Sequence, residues 1–354
     1  MEGQTMYEIL KTLCEIPGPG GDEGLVQSFL AKRWRPQVDR LWMTGVGNLM
    51  AHVGGKGPKL MVAAHADEIS FVVKSIGADG YIWITSGERD NTQRPSLRSP
   101  VFLPWGHPAL ILTTSGPVEG FFATLTGHIL NAEQREKTRP DWTDIFIDIG
   151  ASSQAEAEAL GVKIGDRIIW NPPTRRVGEK VYGKAMDDRV GLAVMDRLLE
   201  VLDRDLLAYD LMFVSTIQEE IGLVGAESAA VESGCTMAIA LDIGLTSDMP
   251  GVDPRDLSVR LGAGPTIVHK DLSHYNRQFT LALIHTAREA DIPVQPAVFG
   301  LYGSDSSAFT RHGLKSAVVA IPTRYTHSPF EMLHLHDVEQ TVALMKAFLY
   351  RRVE

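Results

Sequence analysis

The chain has 354 residues, 44% of them hydrophobic and 22% charged, which suits a globular protein with one large α/β domain and a smaller one. Its formal net charge of -10 argues against a nucleic-acid partner, because binding phosphates requires a basic surface. Only two cysteines, Cys14 and Cys235, are present, which argues against a disulfide framework and against a cysteine-built zinc site.

The first 68 residues alternate between helical and extended patterns. Apolar residues at helical spacing predict one helix in "MYEILKTLCEIPG" and a second in "GLVQSFLAKRW". The stretch "LWMTGVGNLMAHV" predicts a strand and a turn. It is followed by "PKLMVAAHADE", a short buried strand that ends in polar residues.

The pattern changes between residues 69 and 175. Short β-like runs such as "ISFVVKSI", "YIWITS" and "PALILTTS" are separated by Gly and Pro, and helical spacing is nearly absent until "SQAEAEALG". This segment is predicted to be an inserted β-rich domain, barrel-like, that contacts other subunits. Its polar stretch, residues 86–100, is expected to be a loop.

From residue 176 onward the alternating pattern resumes. The stretch "RVGLAVMDRLLEVLDR" places Val190, Val194, Leu198 and Leu202 on one face of a helix. Buried strands are predicted in "LMFVSTI", "TMAIALDIG" and "SAVVAIPT", with helices between and after them. Residues 1–68 and 176–354 are therefore predicted to form one α/β domain, a mixed sheet with helices on both faces.

Polar side chains cluster where the apolar strands end. These residues are His65, Asp67, Glu68, Asp187, Asp188, Glu219, Glu220, Asp242 and His327. Singly, each has an ordinary structural explanation: an isolated histidine is usually a packing residue, Asp before a helix is usually a cap, and paired glutamates usually form a solvated turn.

Taken together, these groups favour a metal site. Burying several carboxylates is costly without a counter-charge, and Arg189 and Arg324 are the obvious nearby cations. Two divalent ions would balance the carboxylates, and nitrogen and oxygen ligands without sulfur suit zinc, cobalt or manganese. Of Glu219 and Glu220, one can bind metal while the other accepts a proton, since neighbouring side chains on an extended strand point in different directions.

The ordered motifs resemble the tetrahedral (TET) aminopeptidases, co-catalytic metallopeptidases that include glutamyl, leucyl, lysyl and deblocking aminopeptidases. The resemblance spans nearly the whole chain. It is carried by "IPGPGGDEGLV", "AAHADEISFVVKSI", "GKAMDDRVGLAV", "QEEIGLVGA", "ALDIG", "GSDSSAF" and "IPTRYTHSPFEM". It implies a zinc-exopeptidase-like fold and assembly into a homo-oligomer, a tetrahedral dodecamer in relatives.

The resemblance also implies a role for each matching residue. Glu219 corresponds to the general base, and Asp67 to the carboxylate that orients His65. Asp187 corresponds to the ligand that bridges two metals and is joined to Asp188 by a cis peptide bond. By this analogy one metal takes His65, Glu220 and Asp187, and the other takes Asp242, His327 and Asp187.

The implied activity is the metal-dependent removal of N-terminal residues from peptides, with peptides as substrates. One alternative is a glycoside hydrolase, but Glu219 and Glu220 are adjacent in sequence, whereas such enzymes need carboxyls that face each other across a sugar. A second alternative is an inactive metal-binding scaffold. No secretory signal or membrane span is recognisable in the sequence, so a cytoplasmic location without membrane partners is expected.

Overall fold

The structure is a computed structural model, and it describes residues 4–87, 105–136, 144–300 and 302–352. Residues 88–100 of the expected polar loop lie outside the described residues. The chain divides into two compact units. The first unit comprises Met1–Glu68, Thr174–Thr326 and Glu331–Glu354, and the second comprises Ile69–Pro173 and His327–Phe330.

The regular elements follow one another along the chain. The helices are α1 (Met6–Glu15), α2 (Gly24–Trp34), α3 (Ala132–Glu136), α4 (Gln154–Ala159), α5 (Met186–Val201), α6 (Val224–Glu232), α7 (Arg277–Glu289), α8 (Asp305–Arg311) and α9 (Leu335–Leu349). The strands are β1 (Arg40–Met43), β2 (Leu49–Gly54), β3 (Lys59–His65), β4 (Phe71–Ile76), β5 (Ile82–Ser86), β6 (Pro108–Thr113), β7 (Gly116–Ala123), β8 (Phe146–Asp148), β9 (Arg167–Trp170), β10 (Arg175–Val177), β11 (Lys180–Gly183), β12 (Asp210–Thr216), β13 (Met237–Leu245), β14 (Thr266–Lys270), β15 (Gln295–Val298), β16 (Lys315–Arg324) and β17 (Glu331–His334).

The first unit is built on a mixed sheet, as the sequence predicted. Its strands run in the order β1-β2-β12-β3-β13-β16-β17-β11-β10, and β14 and β15 branch from β16. The central strands β12, β3, β13 and β16 are parallel, whereas β2 and β17 pair antiparallel at their flanks. Apolar side chains fill β3 and β13 almost without interruption because both faces of the sheet are covered.

The helices form because their apolar faces have somewhere to pack. Helix α5 contacts β3 and β13, and its predicted core residues Val190, Val194 and Leu198 are fully buried. Helices α1 and α9 pack beside α5, while α6 and α8 pack against each other in a separate group. None of the helices within the described ranges is both long enough and apolar enough to cross a membrane.

The second unit contains a closed barrel of six strands in the order β4-β5-β8-β7-β6-β9, and its neighbouring strands pair antiparallel. The predicted barrel-like domain is thus confirmed as part of the fold. Aromatic residues fill the barrel: the Phe71 ring meets Phe122 and Trp170 edge to face, with ring centroids 5.0 and 5.2 Å apart. Their burial gives this unit an apolar core of its own.

Candidate metal centre

The registers of three parallel strands bring polar residues of neighbouring strands to the same level of the sheet. Thr216 on β12 lies opposite His65 on β3, and Ala240 on β13 lies opposite Ala63. Asp242, two residues after Ala240, therefore lies level with His65. Ligand sites in open α/β sheets form where the carboxyl ends of such strands meet.

Five of the predicted site residues converge at this edge. The ligand atoms of His65, Asp187 and Asp242, all buried, lie within 4.8 Å of one another, and so do those of His65, Glu219 and Glu220. His65 Nε2 lies 3.0 Å from Asp187 Oδ1. One imidazole therefore faces carboxylates that come from three different chain segments.

The two adjacent aspartates have separate structural roles. Their peptide bond is cis, as expected, and neither residue has helical backbone angles, so regular α5 geometry begins at Arg189. Asp188 caps the helix, because its Oδ1 accepts a hydrogen bond from Gly191 N at 3.1 Å. Asp187 instead turns its carboxylate toward His65. The capping explanation thus applies to one aspartate and the metal hypothesis to the other.

Asp67 makes more contacts than its expected partnership with His65. Its Oδ1 lies 3.3 Å from His65 Nδ1. The same carboxylate accepts hydrogen bonds from Glu219 N at 2.9 Å and from Glu220 N at 3.0 Å. Through these contacts the fully buried Asp67 holds in place both the imidazole and the backbone of the glutamate pair.

Glu23 is a site-forming residue that the sequence reasoning missed. It is buried, and its Oε1 accepts hydrogen bonds from Gly21 N at 2.8 Å and from Gln218 N at 3.1 Å. Gln218 has a left-handed backbone, with φ of 53°, immediately before Glu219. Together, Glu23 and Asp67 bind three successive backbone N–H groups at residues 218 to 220.

Burial, assisted by repulsion from Asp67, raises the pKa of Glu23 to about 7 from an ordinary 4.5. Since the folded chain holds this proton more tightly than the unfolded chain, the stabilisation is complete below pH 4.5 and is lost as pH rises through 7. In chelator-treated protein, the unfolding free energy of wild type should fall by about 2–3 kcal/mol relative to Glu23→Gln between pH 4.5 and 7.5.

Urea unfolding of both proteins at several pH values measures this difference. Glu339→Gln, which changes an exposed glutamate on α9, is the control and should follow wild type. Parallel stability curves for wild type and Glu23→Gln would show that Glu23 does not titrate in this way.

The cations expected near the site are committed to other partners. The Arg189 guanidinium lies 3.4 Å from Glu68, and Arg324 Nε lies 3.1 Å from Asp248. Burial raises the pKa of Asp188, Asp242 and Glu219 well above their usual range, and repulsion between neighbouring carboxylates raises each further. The edge therefore concentrates acidic groups.

Asp305, the first residue of α8, adds a further buried carboxylate. Its Oδ2 accepts a hydrogen bond of 2.5 Å from Thr216 Oγ1 at the end of β12. Burial raises the pKa of Asp305 to about 6. The residue lies in the motif "GSDSSAF", but its link to β12 has no counterpart in local sequence pattern.

His327 follows β16 by three residues and has a left-handed backbone with φ of 60°. It begins the short segment His327–Phe330 that groups with the second unit. The strand before it, β16, pairs in parallel with β13, the strand that carries Asp242. Glu331, directly after the segment, accepts a hydrogen bond from Asp187 N at 3.1 Å.

The donor set fits divalent metal ions. A buried imidazole and several carboxylate oxygens converge without sulfur, which is the chemistry that zinc, cobalt and manganese accept. His65 presents Nε2 toward the cluster while Nδ1 faces Asp67, the arrangement that orients a metal-binding imidazole. These residues can therefore hold divalent cations.

Comparison with known proteins gives a consistent picture. A family model described as M42 glutamyl aminopeptidase matches residues 47–344. The lysyl aminopeptidase of Pyrococcus furiosus is 31% identical over 353 residues, covering 97% of this chain and 96% of that protein. Aminopeptidase APDkam598 from the archaeon Desulfurococcus kamchatkensis has a solved structure with a TM-score of 0.90 at 29% identity, covering 98% and 95% of the two chains.

A second solved structure is that of the Pyrococcus horikoshii TET1 peptidase, described as able to assemble into a tetrahedron or a large octahedral shell. It gives a TM-score of 0.86 at 28% identity and covers 98% of this chain and 100% of that chain. The likeness thus extends over both units and is not confined to the metal-site motifs.

Proposed function

The chain belongs to the M42 glutamyl aminopeptidase family and is an aminopeptidase, and we propose that it removes N-terminal residues from peptides with two divalent ions and Glu219 as general base. The family assignment confirms the resemblance drawn from the motifs. The observation that carries the mechanism is the convergence of His65, Asp187 and Asp242 beside the Glu219–Glu220 pair.

In the proposed centre, His65, Glu220 and Asp187 would hold one ion, and Asp242, His327 and Asp187 would hold the other. Zinc or cobalt is the proposed metal, with manganese as a further candidate for the same ligands. When bound, two such ions supply Lewis acidity that lowers the pKa of a water molecule and polarises the substrate carbonyl.

The protein's own residues position the reaction and move the proton. In this mechanism Glu219 takes a proton from the attacking water and later delivers it to the leaving amine, since its carboxylate is not committed to metal. Asp67 Oδ1 accepts a hydrogen bond from Glu219 N at 2.9 Å, which fixes the backbone position from which the Glu219 side chain extends. By facing His65 Nδ1, Asp67 also keeps the proton there and leaves Nε2 as the ligand atom.

The glycosidase alternative has less support from the geometry. Glycosidases place two carboxyl groups roughly 5–9.5 Å apart on either side of a sugar. Here the ligand atoms of Glu219 and Glu220 lie within 4.8 Å of each other, and both lie within 4.8 Å of the His65 ligand atom. An inactive scaffold would have no need of a base held in place by a buried carboxylate.

Chelation should abolish activity toward aminoacyl anilides. Removing the ions takes away the Lewis acid, so hydrolysis is expected to fall by at least about 10³-fold and to return with zinc, cobalt or manganese. A panel of acidic, basic and neutral aminoacyl anilides is assayed after the protein has been reloaded with each metal. It measures both how activity depends on the metal and which N-terminal side chain is preferred. Full activity in metal-free protein, or hydrolysis of glycosides instead, would contradict the proposal.

We further propose that the β-rich domain at residues 69–175 joins subunits into a homo-oligomer, a tetrahedral dodecamer in its expected form. Exposed apolar side chains on this domain support that role: Phe121 is 61%, Ile129 67% and Ile164 71% exposed. Light scattering should give twelve times the 38.8 kDa chain mass for a dodecamer. A monomer at micromolar concentration would contradict assembly.

A cytoplasmic location is also proposed for the protein, in keeping with its having only two cysteines.

A further inference from the structure

Three charged side chains outside the proposed ligand set form a buried cluster in the first unit. Glu68, Lys184 and Arg189 have side chains that are only 2%, 1% and 0% exposed. Lys184 Nζ lies 2.9 and 2.7 Å from the two Glu68 carboxylate oxygens, and Arg189 Nη2 lies 3.4 Å from Glu68 Oε1. We call this cluster the ion triad.

The ion triad joins the two chain segments whose side chains meet at the metal centre. Glu68 follows His65 by three residues. Lys184 precedes Asp187 by three residues, and Arg189 follows it by two. Both cations that bracket Asp187 therefore converge on a single carboxylate from the His65 segment. His65 Nε2 and Asp187 Oδ1, which belong to these two segments, lie 3.0 Å apart.

Further contacts anchor the ion triad to the surrounding backbone. Arg189 Nη1 donates hydrogen bonds to Leu13 O at 2.6 Å and to Ile16 O at 2.9 Å, at the end of α1. Gly18 N donates to Glu68 Oε1 at 3.1 Å. Fixed in this way, neither the carboxylate nor the guanidinium can shift without moving its neighbours.

We propose that the ion triad is a positioning device that sets Asp187 against His65 and thereby sets the affinity for metal. Buried ion clusters contribute little stability compared with apolar residues of similar volume, so a stabilising role alone explains this one poorly. Their charges do require one defined geometry, and residues that orient metal ligands change affinity by about 10–100-fold. This inference rests on the proposed metal centre.

Zinc binding to metal-free protein, measured by competition with a chromophoric chelator, tests the inference. The main variant is the double substitution Glu68→Gln with Lys184→Met, which removes one charge of each sign and leaves Arg189 its hydrogen bonds to Leu13 O and Ile16 O. The second is Glu68→Asp, which keeps the charge but shortens the side chain. Both should bind zinc about 10–100-fold more weakly while remaining folded by circular dichroism. Asp196→Asn is the control. Asp196 is buried on α5, the helix that carries Asp187 in its first turn, and it pairs with Arg33 of α2, away from the ligands.

The outcomes separate the ion triad from the metal centre. Weaker zinc binding in either folded variant, with wild-type affinity in Asp196→Asn, supports positioning. Unchanged zinc affinity in the folded variants overturns it, even if their melting temperatures fall. Should the double substitution fail to fold, Glu68→Asp alone decides between these two results. Wild-type protein that binds no zinc overturns the metal centre itself and the inference with it.

Discussion

Glu219→Gln is expected to lower kcat by about 10²–10⁴-fold while both metal ions remain bound, because general-base help contributes that much to such reactions. A carboxylate that binds metal has its charge committed and accepts protons poorly. A carboxylate beside the attacking water keeps an oxygen available. The glutamine side chain has nearly the same shape as glutamate, so Asp67 should still hold its backbone at residue 219.

Glu220→Gln is the matched comparison, since it makes the same chemical change one residue away on the same loop. It should lose affinity for one ion as well as rate, because Glu220 is the proposed ligand. Metal content measured beside kcat distinguishes the two variants. If Glu219→Gln lost an ion while Glu220→Gln kept both, the roles would be reversed. Near-normal activity of Glu219→Gln toward anilides would contradict the mechanism.

The parts of the site that could be predicted are those marked by the hydrophobic pattern of the strands. β3, β12 and β13 are apolar runs, and in each the first polar site residue lies at or near the carboxyl edge that these parallel strands share. His65, Glu219 and Asp242 are therefore recognisable as polar residues that interrupt or follow an apolar strand. The barrel was predictable for a related reason, because short extended runs between glycines leave little alternative.

The parts that could not be predicted depend on contacts between distant residues. Glu23 precedes a helix, where an acidic residue is unremarkable, and its partner Gln218 is 195 positions away. Asp305 meets Thr216 across 89 positions. No local periodicity reports such a hydrogen bond. Short strands such as β8, with three residues, are not recognisable from the sequence because three residues define no period.

The separate roles of Asp187 and Asp188 could be predicted only in part. The dipeptide before a helix predicted both a cap and a metal ligand, and only the family resemblance, not the residue pattern, assigned the ligand role to Asp187. Backbone geometry decides, because the irregular angles at both residues turn one carboxylate to Gly191 N and the other to His65. Side-chain direction at a helix start is set by dihedral angles that composition does not specify.

Asp67→Asn is expected to reduce kcat/KM by on the order of 10²–10⁴-fold, the scale seen when a carboxylate that sets a catalytic imidazole's tautomer becomes an amide. Asparagine has one acceptor oxygen where Asp67 uses two, so one of Glu219 N and Glu220 N would face an NH₂ group in a buried site. His65 would also lose the charge beside Nδ1. Both effects displace the base and the ligand together, so metal affinity should fall along with kcat.

Asp337→Asn is a closely matched control for that change. Asp337 is also fully buried, and its two oxygens accept hydrogen bonds from Gly262 N at 2.7 Å and Gly264 N at 2.8 Å, yet it touches none of the proposed ligands. Each substitution thus leaves a buried backbone N–H without its acceptor, which costs about 1–3 kcal/mol of stability in either place. Only Asp67→Asn should also weaken zinc binding and shift the pH profile of kcat/KM. Equal losses of activity in the two variants at a temperature where both are folded would mean that Asp67 supports the fold and does not position the site.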